Sequence, residues 1–353
     1  MTRVVRYLAR RVAAGVFTVL LLVALTFLVY RAVPSQPASF IYPRVQHIND
    51  YQIQHANHLL GLDRPLSVQY ADYVWHLAQG DVGRFWNGAQ LVNNDRLVEQ
   101  PIGPTLFAGM RVTLSIILGG AFIVVLLAIP LGLTSGARVG TWTDRVISIG
   151  ALIGVCAHPR VLSLMLIRFF GPKNWIPVGG YCPLVKGSRD ICGGPVDWAS
   201  HLLLAWVTFA LLFLALYVRI IRAGVADALH EDYVRTARSK GAGEPRVLGR
   251  HVLPSVGLSV LTMVGMEVST AIGICIYLET SFNYNGLGRM ALQAMGGAEA
   301  TVDLPFTLAI VTMITLFVVV GNLAVDLLYA VLDPRAADEP RRGRVRAAAG
   351  SVF

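Results

Sequence analysis

Six stretches of this chain run apolar for long enough to cross a bilayer as helices: residues 12–30, 112–135, 146–167, 202–221, 255–278 and 305–332. A hydrocarbon core about 30 Å thick needs about 20 such residues per helix, because backbone amides in lipid must pair among themselves. The first stretch is too long, and too poorly followed by small residues, for a removable signal peptide, and reads as a permanent anchor. Residues 34–105 interrupt the pattern with punctuation of their own. Asn49 and Asp50 predict the start of a helix that Gly61 stops. Pro65 opens another, whose stripe of Leu66, Tyr70, Tyr73, Val74 and Leu77 reads as packing surface, and Gly80 ends it. After the fourth stretch the spacing predicts a helix over 223–240, a break at Gly241 and Gly243, and a second short helix with Pro245 at its first position. The expected fold class is an all-α membrane protein with six spans. Its expected parts are an N-terminal segment and first span (1–33), a helical extracellular insertion (34–105), a transmembrane core (106–334) containing a loop at about 223–254, and a basic tail (335–353).

Composition agrees, since 55% hydrophobic and 14% charged residues are too apolar a mixture for a soluble globule of this length. Six spans put both termini on one side. That side carries Arg3, Arg6, Arg10 and Arg11, then Arg138 and Arg145, then seven basic residues from Arg219 to Arg250, and an Arg-rich tail. Basic loops stay in the cytoplasm, so both termini are expected there and the net charge of +9 needs no nucleic acid to explain it. The tail after Arg335, rich in Arg, Ala and Gly, is expected to be disordered and to touch anionic lipid. Cys156 and Cys275 fall in spans, whereas Cys182 and Cys192 share the outer loop between the third and fourth. Pro183 and Gly187 between them make a loop-closing disulfide sterically easy; two free thiols are the alternative. No His or second Cys pair stands near enough to suggest a metal site.

Two charges stand near the middle of apolar stretches, Arg160 in the third and Glu267 in the fifth, whereas Arg219 and Asp326 lie toward the ends of the fourth and sixth. A charge at the bilayer centre costs at least about 2.5 kcal/mol on insertion scales, so such groups pair or line a wet cavity. Counted from the starts of their stretches, at roughly 1.5 Å per residue, their depths differ by only about 3 Å. A structural ion pair is therefore one reading. The other is a translocation path in which Arg160 meets a cargo carboxylate and Glu267 an amine, with His158 and Pro159 kinking the helix beside them. No phosphate loop, Gly-x-Ser-x-Gly elbow or His-Glu-x-x-His pair is present, so the chain is not expected to be an enzyme. There is no solenoid-length repeat and no inverted pair of broken spans, which weighs against a secondary transporter.

The run Asp232-Tyr-Val-Arg-Thr-Ala-Arg-Ser-Lys-Gly241, followed by His251-Val-Leu-Pro254, resembles the EAA loop of binding-protein-dependent ABC importer permeases. The spacing is intact, but Arg235-Thr236-Ala237 replaces the family's Glu-Ala-Ala and His251 stands where Ile is usual. Arg31-Ala-Val-Pro34, Gly61-Leu-Asp-Arg-Pro65, Gly80-Asp-Val-Gly83, Ile129-Pro-Leu-Gly132, Glu279-Thr-Ser-Phe282, Gly286-Leu-Gly288 and Leu332-Asp-Pro-Arg335 extend the likeness to the B-type permease of dipeptide and oligopeptide importers over nearly the whole chain.

The resemblance implies a type I importer permease in a bacterial cytoplasmic membrane. Its implied partners are a second related permease, two ATP-binding subunits and an extracellular substrate-binding protein or lipoprotein. ATP and Mg would be used by those partners, with no cofactor bound here. Coupling to ATP is assigned to Asp232, Tyr233, Arg235, Thr236, Ala237, Arg238, Lys240 and Gly241. In that assignment Arg235, Arg238 and Lys240 meet acidic groups of the partner, while Val234, Ala237, Val247, Leu248, Val252 and Leu253 supply apolar contact area for its groove. Peptide is the implied cargo; nickel chelates, glutathione and oligosaccharides are served by similar permeases. The rival class is an ion-coupled transporter acting alone, with Arg160 and Glu267 as coupling charges and transport without ATP.

Overall fold

The computed structural model of the chain describes residues 2–32, 38–42, 49–86, 90–92, 96–173, 176–187, 192–295 and 303–332. The expectation for the tail, residues 335–353, lies outside them. In chain order come α1 (Thr2–Ala32), α2 (Ala38–Ile41), α3 (Asp50–Leu59) and α4 (Leu66–Ala78), then a hairpin of β1 (Gln90–Val92) and β2 (Arg96–Val98). The remainder is helical: α5 (Gly103–Ala137), α6 (Trp142–Cys156), α7 (Pro159–Phe170), α8 (Pro195–Ala228), α9 (Asp232–Ser239), α10 (Glu244–Arg246), α11 (Leu253–Ser281), α12 (Leu287–Ala294) and α13 (Leu304–Leu332).

Five of the described helices are long and apolar enough to cross a membrane: α1, α5, α8, α11 and α13. The third expected span is not one helix. It breaks between α6 and α7, neither of which is long enough to cross alone. Pro159 is the physical cause, since it has no N–H to give the preceding turn and pushes the residue before it out of the helical region. His158 accordingly sits at φ −66°, ψ 137°, and its Nδ1 accepts the Arg160 N–H at 3.2 Å, capping α7.

The core is the seam of α5 against α8. In lipid there is no hydrophobic drive between helices, so close packing of small residues must supply the contact. A Cβ at Gly119 would stand 2.1 Å from the Trp206 indole, and one at Gly120 would stand 2.5 Å from the Phe209 ring. The Trp206 Nε1–H donates to the Ser115 carbonyl at 2.9 Å, fixing the indole in that seat.

α1 lies at the edge and packs on α13, where Arg11 pairs with Asp326 at 3.0 Å. The insertion folds back on these two helices. A reciprocal Asn49–Gln52 capping box starts α3, and α4 turns Tyr70, Tyr73, Val74 and Leu77 inward while Leu66 stays exposed. Tyr70 donates to the Leu20 carbonyl at 3.0 Å, and Tyr73 meets the Thr312 hydroxyl at 3.1 Å. The hairpin, antiparallel with Leu91 opposite Leu97, was not expected from the sequence.

Cys182 and Cys192 are joined in a disulfide that pins the segment leading into α8. Closing so short a loop restricts the unfolded chain by about 2–3 kcal/mol. Cys182→Ser is therefore expected to lower the melting temperature of the purified protein by several degrees, and dithiothreitol should have no further effect on that variant.

Candidate functional site

The loop between α8 and α11 is built from short pieces. The expected helix over 223–240 is divided, because α8 ends at Ala228 and a turn through His230 leads into α9. Gly241 then takes φ 83°, a left-handed conformation that favours glycine, and reverses the chain toward α10. Between α10 and α11 the backbone passes through six residues of π-helix, Val247–Val252, a geometry that recurs at functional positions.

This arrangement corrects the expected use of the apolar residues. Val234, Ala237, Val247 and Val252 are buried in the chain's own core alongside Val225 and Val256, so they seat the loop and are not free for a partner. What α9 presents outward is Asp232, Tyr233, Arg235, Thr236, Arg238 and Lys240. Arg238 is engaged within the loop, Nε to Glu244 Oε1 at 2.9 Å and Nη2 to Oε2 at 3.2 Å, which ties α9 across the Gly241 turn to α10. Arg235 lies 3.7 Å from Asp232, one turn away on the same helix. Lys240 has no ion pair among the described residues.

Sequence reasoning missed the anchor beneath this loop. Asp144, on the first turn of α6, accepts Arg222 Nε at 2.5 Å and Nη2 at 2.8 Å, Ser135 Oγ at 2.6 Å and the Gly140 N–H at 2.9 Å. One buried carboxylate thus joins the ends of α5, α6 and α8. The Arg222 hydrogen bonds, with those from Ser135 and Gly140, hold its carboxyl well below the usual carboxylate range. Arg222 had been read only as one of the loop's positive charges; Ser135 and Asp144, each near a predicted helix end, were the available signal.

The expected Arg160–Glu267 ion pair is not formed among the described residues. Arg160 is exposed at the start of α7, beside His158, whose ring meets Tyr277 edge-on at a centroid distance of 4.9 Å. Tyr277 and Glu267 share α11 but lie ten residues apart, about 15 Å along the axis, so the depths do not match. Glu267 instead lines a cavity of about 90 Å³ between α5, α8 and α11, with Phe209, Phe213, Tyr217, Val264 and Val268. It is the only charged group on that wall and has no hydrogen-bond partner among the described residues.

At the other end of α11, Glu279 is fully buried. Its Oε1 accepts the Thr113 hydroxyl at 2.6 Å and its Oε2 the Arg289 N–H at 2.8 Å, while the same Thr113 oxygen accepts the Leu287 N–H at 2.9 Å. The carboxylate therefore sits on the amides that open α12. A Cβ at Gly286 would stand 2.2 Å from the Glu279 carboxyl carbon, so this contact needs glycine there.

Membrane-length helices joined through a core-seated, basic elbow are the architecture of an integral membrane protein. The chain belongs to the family of binding-protein-dependent transport system inner membrane components, whose model matches residues 128–338, and the N-terminal model of the same class of membrane component matches residues 4–87. Among its relatives, a peptide permease protein of Brucella ovis is 30% identical over 334 residues, covering 94% of this chain and 98% of that protein. A peptide ABC transporter permease of Sinorhizobium fredii is 29% identical over 332 residues (93% and 98%). The oligopeptide transport system permease AppB of Bacillus subtilis is 29% identical over 331 residues (93% and 98%). The protein is thus an integral membrane subunit of an ABC importer, a class that works with ATPase and substrate-binding partners.

Proposed function

We propose that this chain is one of two related permease subunits in a bacterial ATP-driven peptide importer, coupled to a pair of ATP-binding subunits through the elbow from Asp232 to Gly241. The observation that carries the reading is the construction of that elbow. Val234 and Ala237 root α9 in the core while Tyr233, Arg235 and Lys240 face outward, so a push on the helix is delivered to α8 and α11 and not lost in a loose loop. ATP and Mg are handled by the partner subunits, since no phosphate loop occurs here. Both termini lie in the cytoplasm on this reading, and the insertion faces an extracellular binding protein. The two permeases rock between inward-facing and outward-facing states, and the Glu267 cavity contributes an acidic contact for the peptide amine in one of them. Peptide cargo is supported by the names of the relatives.

Gly241→Val is the test of coupling. A β-branched residue at φ 83° is strained by about 1–3 kcal/mol, enough to displace the α9–α10 turn without touching the core. In vesicles holding the complete complex, ATP-driven uptake is expected to fall by at least about tenfold while basal ATP hydrolysis persists, a loss of the order that strain predicts. Uptake at the native rate would remove the elbow from the mechanism.

A further inference from the structure

A second cavity, with about 1250 Å³ of open space, lies between the insertion and the adjoining ends of α1 and α13. Its floor is apolar, made by Phe27, Trp86, Leu304 and Leu308, all buried. Its rim is charged with both signs. Arg64 and Asp72 pair with each other at 3.3 Å, and Asp81 accepts the Gly83 N–H at 2.9 Å. Arg84 and Glu99 complete the rim. Arg84 is exposed and has no ion pair among the described residues, whereas Glu99 is half-buried.

Tyr70 and Tyr73 reach Leu20 and Thr312, which lie inside the apolar windows of α1 (residues 9–29) and α13 (residues 304–328), and the floor residues Phe27, Leu304 and Leu308 belong to the same two windows. Only 11% of the α1 window is buried within the chain, so most of its apolar surface beside the cavity is left open. The Glu267 cavity, by contrast, belongs to α5, α8 and α11. A group entering the second cavity would meet an apolar floor, the exposed Arg84 guanidinium, and the Glu99 carboxylate that this guanidinium attracts without closing an ion pair.

We propose that this cavity binds the headgroup of an aminophospholipid, with the phosphate on Arg84, the ammonium on Glu99, and the acyl chains running over the α1–α13 seam past Phe27 and Leu308. Arg presents a planar donor fork to phosphate oxygens. Glu99 can accept hydrogen bonds from N–H donors, which an ethanolamine headgroup has and a choline headgroup lacks. Three carboxylates (Asp72, Asp81, Glu99) against two guanidiniums (Arg64, Arg84) disfavour a purely anionic headgroup.

The experiment is native mass spectrometry of the complete complex after exchange into nanodiscs of equal parts phosphatidylethanolamine, phosphatidylcholine and phosphatidylglycerol. The native complex is expected to retain phosphatidylethanolamine preferentially. Arg84→Gln should lower that retention by about tenfold, the scale of one charge-assisted hydrogen bond. Glu99→Gln should remove the preference over phosphatidylcholine. Unchanged retention in Arg84→Gln would overturn the proposal, as would displacement of the lipid by inorganic phosphate or by a dipeptide. If Arg84→Gln does not assemble, the Glu99→Gln comparison decides, and an ethanolamine preference equal to the native one refutes the site.

Discussion

Asp144→Ala is expected to destabilise the protein by about 3 kcal/mol, because it leaves the Arg222 guanidinium without its bidentate partner between three helix ends. The figure sits at the lower end for broken buried pairs, since Asp144 is 5% exposed but Arg222 is 32% exposed and partly solvated. Ser135 and the Gly140 N–H lose their acceptor as well. Thermal melting of the purified complex reads the effect directly. The double variant Asp144→Ala/Arg222→Leu should recover part of the loss, because it removes the stranded charge. A melting temperature for Asp144→Ala within a degree or so of native would show that the anchor is not stabilising.

The second large effect concerns Glu279. Replacing it with Ala strips the acceptor from Thr113 and from the Arg289 N–H in a fully buried setting, a loss of roughly 3 kcal/mol or more. Gly286→Ala should act through the same contact from the other side, since its methyl would overlap the carboxylate. Both variants are expected to lower the yield of assembled complex and its melting temperature, and combining them should cost less than the sum of the two. Additive losses would mean that Gly286 and Glu279 act independently, contrary to the packing described.

Much of this architecture is legible in the sequence because lipid imposes so simple a rule. Long apolar runs became α1, α5, α8, α11 and α13, and Asn49, Gly61 and Gly80 mark the ends of α3 and α4 by local backbone chemistry that needs no tertiary partner. The third span was misread because hydropathy averages over Pro159, and the depth estimate for Arg160 assumed a continuous helix. Once that helix breaks, His158 meets Tyr277 and the presumed match to Glu267 disappears.

The spacing of Val234 and Ala237 revealed one apolar face on α9 but could not say whose core it enters. It enters the chain's own. Asp144 and Glu279 lie near helix ends, and their roles depend on Arg222 and Thr113, which are brought to them from distant segments. The hairpin strands, three residues each, are too short to give a periodic signal.

The central claim, that this permease moves peptides at the expense of ATP hydrolysed by its partners, is tested most directly by uptake of a labelled dipeptide and oligopeptide mixture into sealed vesicles containing the complete complex. ATP-dependent accumulation that requires the binding protein is the predicted result. Vesicles that hydrolyse ATP in response to the binding protein yet accumulate no peptide would contradict the cargo assignment, and accumulation driven by a proton gradient without ATP would contradict the mechanism.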